Sequence, residues 1–511
     1  MKIKTFASIY IGSYGVTLKI FELIPNQGVK TIDHIRTRLE LGSDIYKNGN
    51  VGYEVVEDLC QVLSEFYGIM TGYQVSDYRV YAGHLLREAD NELFVLDQIK
   101  IRTRLEVQVI SNSEHRFITY QALVANDLFH KMTQEGAAVA DIGGGSIQLT
   151  LYQRGELITT QHIDLGILRL RERLFQVAAM VSNYERHIEE LVDKELSGFQ
   201  SLYLKGESIK YVILIGDYIG EMIGNISRRK EDDTIEADTF LKRMNKFGRK
   251  NPQLFSEELT VSKEADPLMA PSVILCKNLV EELKSSYVWV PGVDVSDGIA
   301  YEYVWQNRFL KVAHDFDRDI LSAAGNLAGR YGSDTEHTGH LLTVTKILYD
   351  AMKKLHGMGK REALLLSVAT ILHDCGRYIS MTEQAECSYQ IIMASEIIGM
   401  SHLEREIVAS TVKYNAEPLV PYEELMGKMD QKSYMVVAKL SAILRVANVL
   451  DRSHRQKLSK IRAMLKDREL IITAESRENI VLEKSLFSSY AVAFEKVFSV
   501  KPVLREKRMI G

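Results

Sequence analysis

The chain has 511 residues, 46% of them hydrophobic and 26% charged, with a formal net charge of −5. That length predicts about three or four domains, and the mildly acidic balance excludes a generally basic, nucleic-acid-coating surface while leaving room for a local basic groove. No secretory signal core and no apolar run of about 18 residues is present, and Cys60, Cys276, Cys375 and Cys387 make neither a CxxC pair nor a disulfide framework, so a cytoplasmic protein with reduced thiols and no membrane contact is expected.

In chain order, TFASIYIGSYGVTLKIFEL reads as a β-hairpin, with Val16, Leu18 and Ile20 alternating against Thr17 and Lys19. Residues 53–73 place apolar groups at helical spacing, and DYRVYAG and LEVQVIS read as short strands. SEHRFITYQALVANDLF predicts one helix with Ser113 at its N-cap. The stretch AVADIGGGSIQL then starts a second, similar course. Setting residues 9–21 against 140–152 matches Ile11 with Ile142, Gly12 with Gly143, Leu18 with Leu149 and Phe21 with Tyr152. Two such α/β halves facing each other would bring both glycine turns to one cleft, and alternating β and α segments favour mixed sheets covered by helices. From about residue 310 the pattern becomes a run of amphipathic helices with short connections. The tail adds strand-like LIITAE and IVLEK and a helix around SYAVAFEKVFSV. The expected division is 1–124 and 125–308 for two α/β lobes, 309–465 for a helical domain, and 466–511 for a small α/β element.

Successive amides in a glycine turn can converge on one anion, and Gly143, Gly144 and Gly145 allow close approach. An ordinary glycine-rich hairpin is the other reading. Asp141 would repel phosphate directly, so at a phosphate loop it implies a divalent cation or an ordered water. Arg87, just after a strand, suits polyphosphate through its two-pronged guanidinium, although an isolated arginine is more often a surface ion-pair residue. Glu114, in the first turn of a helix, reads on its own as an acid stabilised by the helix dipole; a general base for an attacking water is the alternative. His337, His340, His373 and Asp374 include an adjacent His-Asp pair of the kind that binds divalent metals. Cys387 and Asn448 stand where further ligands would be sought, and neither suits Mg²⁺. A structural role for this group is the expectation.

Taken together and in this order, IYIGSYG, LLREADN, VISNSEHRFITY, ADIGGGSIQL, IDLGILRLRERL, VILIGDYIG and VDVSDGIAYEY resemble the exopolyphosphatase/guanosine pentaphosphate phosphatase (Ppx/GppA) family. The resemblance continues through HTGH, ILHDCGR and LRVANVLDRSH into an HD-like helical domain. It implies a two-lobed α/β fold of the sugar kinase–Hsp70–actin type (actin-like, ribonuclease H-like), followed by the all-α HD-like domain and a small α/β tail. It implies release of terminal phosphate from inorganic polyphosphate, or from guanosine pentaphosphate, with Mg²⁺ or another divalent cation and in a possible homodimer. Glu114 would be the general base and Asp141 a metal ligand. Gly12, Ser13, Arg87, Gly143, Gly144, Gly145 and Ser146 would hold phosphate. His337, His373 and Asp374 would be a vestige of the HD site. The chain departs from the family pattern at Tyr10, in place of an acid, and at Gln148, in place of a metal-associated glutamate. It departs again at Asp217, Tyr218 and Ile219 of the third loop, and at Phe117, where the family has an arginine. Loss of two carboxylates is expected to weaken Mg²⁺ binding. The alternative function is therefore an impaired family member that binds polyphosphate, a nucleotide or a protein partner as a sensor.

Overall fold

The computed structural model describes residues 3–25, 28–171, 184–205, 208–216, 219, 234–248, 266–311, 314–476 and 478–508. The chain forms two compact units, Met1–Asp315 and Phe316–Gly511.

The first unit holds two sheets built to one plan. Strands β1 (Lys4–Ile11), β2 (Gly15–Ile24), β3 (Gly28–Arg38), β4 (Asp77–Ala82) and β5 (Gln108–Val109) lie in the order β3-β2-β1-β4-β5. Strands β6 (Ala137–Ile142), β7 (Ile147–Gln153), β8 (Glu156–Ile163), β9 (Tyr211–Ile215), β10 (Ile235–Glu236) and β11 (Tyr287–Trp289) lie in the order β10-β11-β9-β6-β7-β8. In each, a three-stranded antiparallel meander is followed by a parallel strand that returns beside the first. The weak sequence repeat is therefore a structural one: Ile11 pairs with Val16 as Ile142 pairs with Ile147.

The alternation of β1 explains its two covered faces. Ala7, Ile9 and Ile11 point into a core shared with helix α1 (Tyr53–Gly72). Phe6 and Tyr10 point the other way, against helices α2 (Asn112–Val124) and α3 (Val295–Gln306). Helix α3 follows the second sheet in sequence but packs on the first, so residues 295–306, counted with the second lobe in the expected span 125–308, lie against the first sheet. Local pattern carries no information on which sheet a later helix covers. The α2–α3 crossing depends on Gly298, whose added Cβ would strike the carbonyl of Ile118. Gly298→Ala is expected to cost about 1–3 kcal/mol through overpacking, read as a lower urea midpoint; an unchanged midpoint would show that the crossing can relax.

Three local expectations are corrected. The N-cap of α2 is Ser111, not Ser113: Ser111 Oγ accepts from the Glu114 amide, and the Ser111 amide donates to Glu114 Oε2. This is the S-x-x-E capping box, visible in Ser111-Asn112-Ser113-Glu114. The helix also stops at Val124, and Asn126 caps a new one, Asp127–Glu135. In the tail, IVLEK is the start of a helix, not a strand.

The second unit begins with helices α4 (Phe316–Arg330), α5 (Thr335–Ala351), α6 (Lys360–Leu372), α7 (Gln384–Ala394), α8 (His402–Ala416) and α9 (Gln431–Leu450). Helix α9 is apolar and long enough to cross a membrane, but 67% of that window is buried. Strand β12 (Leu458–Lys466) pairs antiparallel with β13 (Glu469–Ser476), and β14 (Lys501–Arg508) pairs parallel with β13. Helix α10 (Val481–Phe498) supplies the crossover. This sheet spans the expected division at 465, because β12 alternates polar and apolar residues too weakly to stand out.

Candidate active site

The two hairpin turns have the same internal bond. The Gly12 amide donates to the Gly15 carbonyl at 2.8 Å, and the Gly143 amide donates to the Ser146 carbonyl at 2.9 Å. They also meet: a Cβ on Gly144 would lie 2.7 Å from Ser13 Oγ. The carbonyls of Gly143 and Gly144 are occupied, accepting from the amides of Ile167 at 3.1 Å and Leu168 at 2.8 Å. Gly166 is required there, since its Cβ would strike the Gly144 carbonyl and the Ser146 amide. No hydrogen bond among the described residues uses the amides of Gly144 and Gly145. The carbonyls of Gly143, Gly144 and Ser146 thus accept bonds while the amides of Gly144 and Gly145 donate none among the described residues, a polarity that suits an oxyanion.

The N-terminal turn of α2 approaches this loop. Arg116 is 7% exposed. Its Nη2 donates to Ser146 Oγ at 2.8 Å, and its Nη1 donates to Gln148 Oε1 at 2.7 Å and to His162 Nδ1 at 3.0 Å. With Nδ1 accepting, His162 Nε2 carries the proton toward Asp164 Oδ1 at 3.2 Å. Gln148 is the cross-strand partner of Asp141, and both are buried. His115 is held below the ordinary histidine range by burial, against the opposing pull of Asp141. Its ring lies 5.2 Å from that of Tyr10. Tyr10 fills the space between Gly12 and Gly83: added Cβ atoms there would lie 3.3 Å and 2.7 Å from its ring and hydroxyl. A phenol ring thus occupies the strand position where a carboxylate was expected.

The remaining expected residues are placed less centrally. Arg87 is exposed and donates to the Val109 carbonyl at 2.9 Å. Ile219 is fully buried, while Asp217 and Tyr218 lie outside the described residues. Sequence reasoning missed Arg116, Arg38 and Arg171. The last two stand over the Tyr14 ring at 4.9 Å and 5.6 Å, beside Glu40. A signal existed for part of this: Arg36 and Arg38 alternate along β3 and so share a face.

In the second unit, His337 and Asp451 form a buried pair, with Nδ1 and Oδ2 2.8 Å apart. The His454 ring stacks on His337 at 3.6 Å, and the His373 ring is 5.2 Å from it. His373 Nδ1 donates to the Thr370 carbonyl, and Asp374 Oδ1 accepts from Ser333 Oγ. His340 Nε2 and Asn448 Oδ1 are buried without a hydrogen-bond partner, and Cys387 is half-buried. Among the described residues no three His, Cys, Asp or Glu side chains are grouped to hold a metal ion.

Comparison with known proteins gives this geometry a family. The model of the Ppx/GppA phosphatase family matches residues 22–306, and that of Ppx/GppA phosphatase domain III matches 321–490. Guanosine-5'-triphosphate,3'-diphosphate pyrophosphatase of Aliivibrio fischeri (strain MJ11) is 20% identical over 457 residues, covering 88% of this chain and 87% of the relative. Bifunctional 3-dehydroquinate synthase/phosphatase of Fusobacterium nucleatum subsp. nucleatum is 22% identical over 263 residues. That match covers 47% of this chain and only 39% of the relative. Among solved structures, the Aquifex aeolicus Ppx/GppA family member has a TM-score of 0.50 at 19% identity, covering 61% of this chain and 100% of its own. An exopolyphosphatase from Cytophaga hutchinsonii ATCC 33406 has a TM-score of 0.51 at 16% identity, covering 59% and 98%. At these identities the structural likeness is one of fold, the actin-like Ppx/GppA arrangement, over about three fifths of this chain. The two family models together span both units, and the chain belongs to the Ppx/GppA phosphatase family.

Proposed function

We propose that this chain hydrolyses the terminal phosphoanhydride of inorganic polyphosphate or guanosine pentaphosphate at the meeting point of the two glycine turns. The observation that supports the reading is the loop's polarity, with the Gly143 and Gly144 carbonyls bonded away and the Gly144 and Gly145 amides unused among the described residues, beside the Arg116 guanidinium. The terminal phosphoryl group would take the Gly144 and Gly145 amides and Ser146. Glu114 Oε2 is fixed by the Ser111 amide at 2.8 Å, which leaves Oε1 to accept a proton from water. In that step the water oxygen forms a bond to phosphorus and the anhydride P–O bond breaks. The proton passes to Glu114, and the leaving phosphate chain carries away the bonding electron pair. Positioning and positive potential do most of the work in such a transfer.

Ppx/GppA phosphatases generally use divalent cations, and the donors in this loop do not suit one. Asp141 is the single carboxylate on the β6–β7 pair beside the loop, its partner across the ladder is the neutral Gln148, and the Gln148 oxygen already accepts from a cation. Mg²⁺ favours several hard oxygens in near-octahedral array. The same Arg116–Gln148 bond favours a second reading, a binder of phosphate chains without turnover. Phosphate release from long-chain polyphosphate and from guanosine pentaphosphate separates the two. Release from either supports the hydrolase. Binding without release selects the binder, and absence of both removes the site.

A further inference from the structure

The sheet at the end of the chain turns one face to solvent. On β14 the even positions Pro502, Leu504 and Glu506 face helix α10, where Glu506 pairs with Lys484. The odd positions, Lys501, Val503, Arg505 and Lys507, therefore face the other way, and the three cations among them are exposed. Through β13 they line up with β12: Lys501 with Lys466, Val503 with Met464 and Arg505 with Arg462. Glu469 and Glu475, the two acids of β13 on this face, leave it with an excess of cations. Between the charged rows runs an apolar one, in which Met464 is 56% exposed. A phosphate chain has no group to cover that row, whereas an extended polypeptide has.

The two edges of the sheet differ. Strand β12 breaks register between Ser459 and Arg462, and Lys460 takes a φ of 46°, a distortion of the kind that blunts an edge. Strand β14 keeps register with β13 from Lys501 to Arg508, and among the described residues nothing hydrogen-bonds to its outer side. A second copy of β14 laid there antiparallel would set cation against cation, which is unfavourable. We propose that this edge takes an extended acidic segment of a partner protein as a fourth strand. On the open face that strand would carry acid, apolar, acid and acid side chains at alternate positions, opposite Lys501, Val503, Arg505 and Lys507. Its acids would lie one strand spacing, about 5 Å, from the β14 cations and about 10 Å from Glu469 and Glu475. The surface belongs to the second unit alone and does not depend on the phosphate loop.

The test is fluorescence anisotropy on the full chain with a labelled peptide that alternates Thr with Glu, Val, Glu and Glu, and with the same peptide in reverse order. Wild type is expected to bind one of the two orders. The double variant Arg505→Glu, Lys507→Glu is expected to bind it about 10- to 30-fold more weakly, the scale of two cross-strand charge pairs made repulsive, with its thermal transition confirming that it folds. A second measurement needs only wild type. N-methylation of alternate peptide amides, on the Thr set or on the Glu and Val set, removes donors from one edge of the added strand at a time. One methylated peptide is expected to lose binding and the other to keep it. Failure of wild type to bind either order would overturn the proposal, as would unchanged affinity in the folded double variant. Equal binding by both methylated peptides would overturn strand addition. Tripolyphosphate bound by wild type and lost in the double variant, with neither peptide bound, would replace the protein segment with a phosphate chain.

Discussion

Glu114→Gln is expected to lower the rate of phosphate release by about 10²–10⁴-fold, the usual contribution of a positioned proton acceptor, with little change in stability. The separation of the two effects comes from the capping box. Glu114 Oε2 accepts the Ser111 amide at 2.8 Å, and the Glu114 amide donates to Ser111 Oγ at 3.2 Å. A glutamine side-chain oxygen can accept the same bond, so the cap survives while the basic oxygen is lost. Glu114→Ala removes both, and it should add a stability loss of about 1 kcal/mol from the cap. Comparing the variants therefore distinguishes chemistry from helix capping, the two roles that the sequence alone left open for this residue. Equal turnover by wild type and Glu114→Gln, with both folded, would leave Glu114 as a cap and nothing more.

The parts of this molecule written in short-range pattern were legible. The β1–β2 and β6–β7 hairpins, the glycine turns and the helical run after 316 all follow from apolar spacing and turn residues a few positions apart. Their duplication was readable from Gly12 and Gly143 at the same place in each hairpin. The end of α2 was misread because Asn126 both stops one helix and caps the next. What no local pattern could show was long-range pairing. Arg116 reads as a polar residue on a helix until β7 and β8 bring Gln148 and His162 to it. Tyr10 reads as a strand aromatic, and only the approach of Gly83 and His115 shows that its ring packs between the glycine turn and α2. Lys19 is the clearest case. Alternation with Val16, Leu18 and Ile20 marks it as solvent-facing, yet it is 6% exposed because α3, from far along the chain, covers that face.

That burial leads to the largest stability effect expected in the chain. Lys19 Nζ lies 2.8 Å from both Asp294 Oδ2 and Asp297 Oδ2, where the two acids form the capping box that starts α3. Burial works against the lysine charge, but the two carboxylates outweigh it and hold Lys19 protonated well above the ordinary range. Two acids share one cation, so they divide. Burial opposes the Asp294 charge, but Lys19 outweighs it and Asp294 is lowered; burial and the Asp294 charge push Asp297 up to about 7. Lys19→Met leaves two largely covered carboxylates without the cation they share, and a loss of about 3–5 kcal/mol is expected near neutral pH. The pH dependence has a fixed sign. Lys19 is charged in both folded and unfolded chains below its ordinary pKa, so its own contribution is constant from pH 5 to 9. In the variant Asp294 loses the largest influence that lowers it and burial still raises Asp297, so the folded state is expected to hold more protons than in wild type and stability to fall more steeply as pH rises through that range. Urea unfolding should show the deficit greatest at pH 8 and reduced at pH 5. Asp297→Asn supplies the complement: it removes the acid whose pKa is raised while its side-chain oxygen still accepts from Lys19, so its stability relative to wild type should improve from pH 5 to pH 8. A Lys19→Met deficit that is the same at both pH values would mean that the loss is one of packing, and that the two acids are not held as a charge-divided pair.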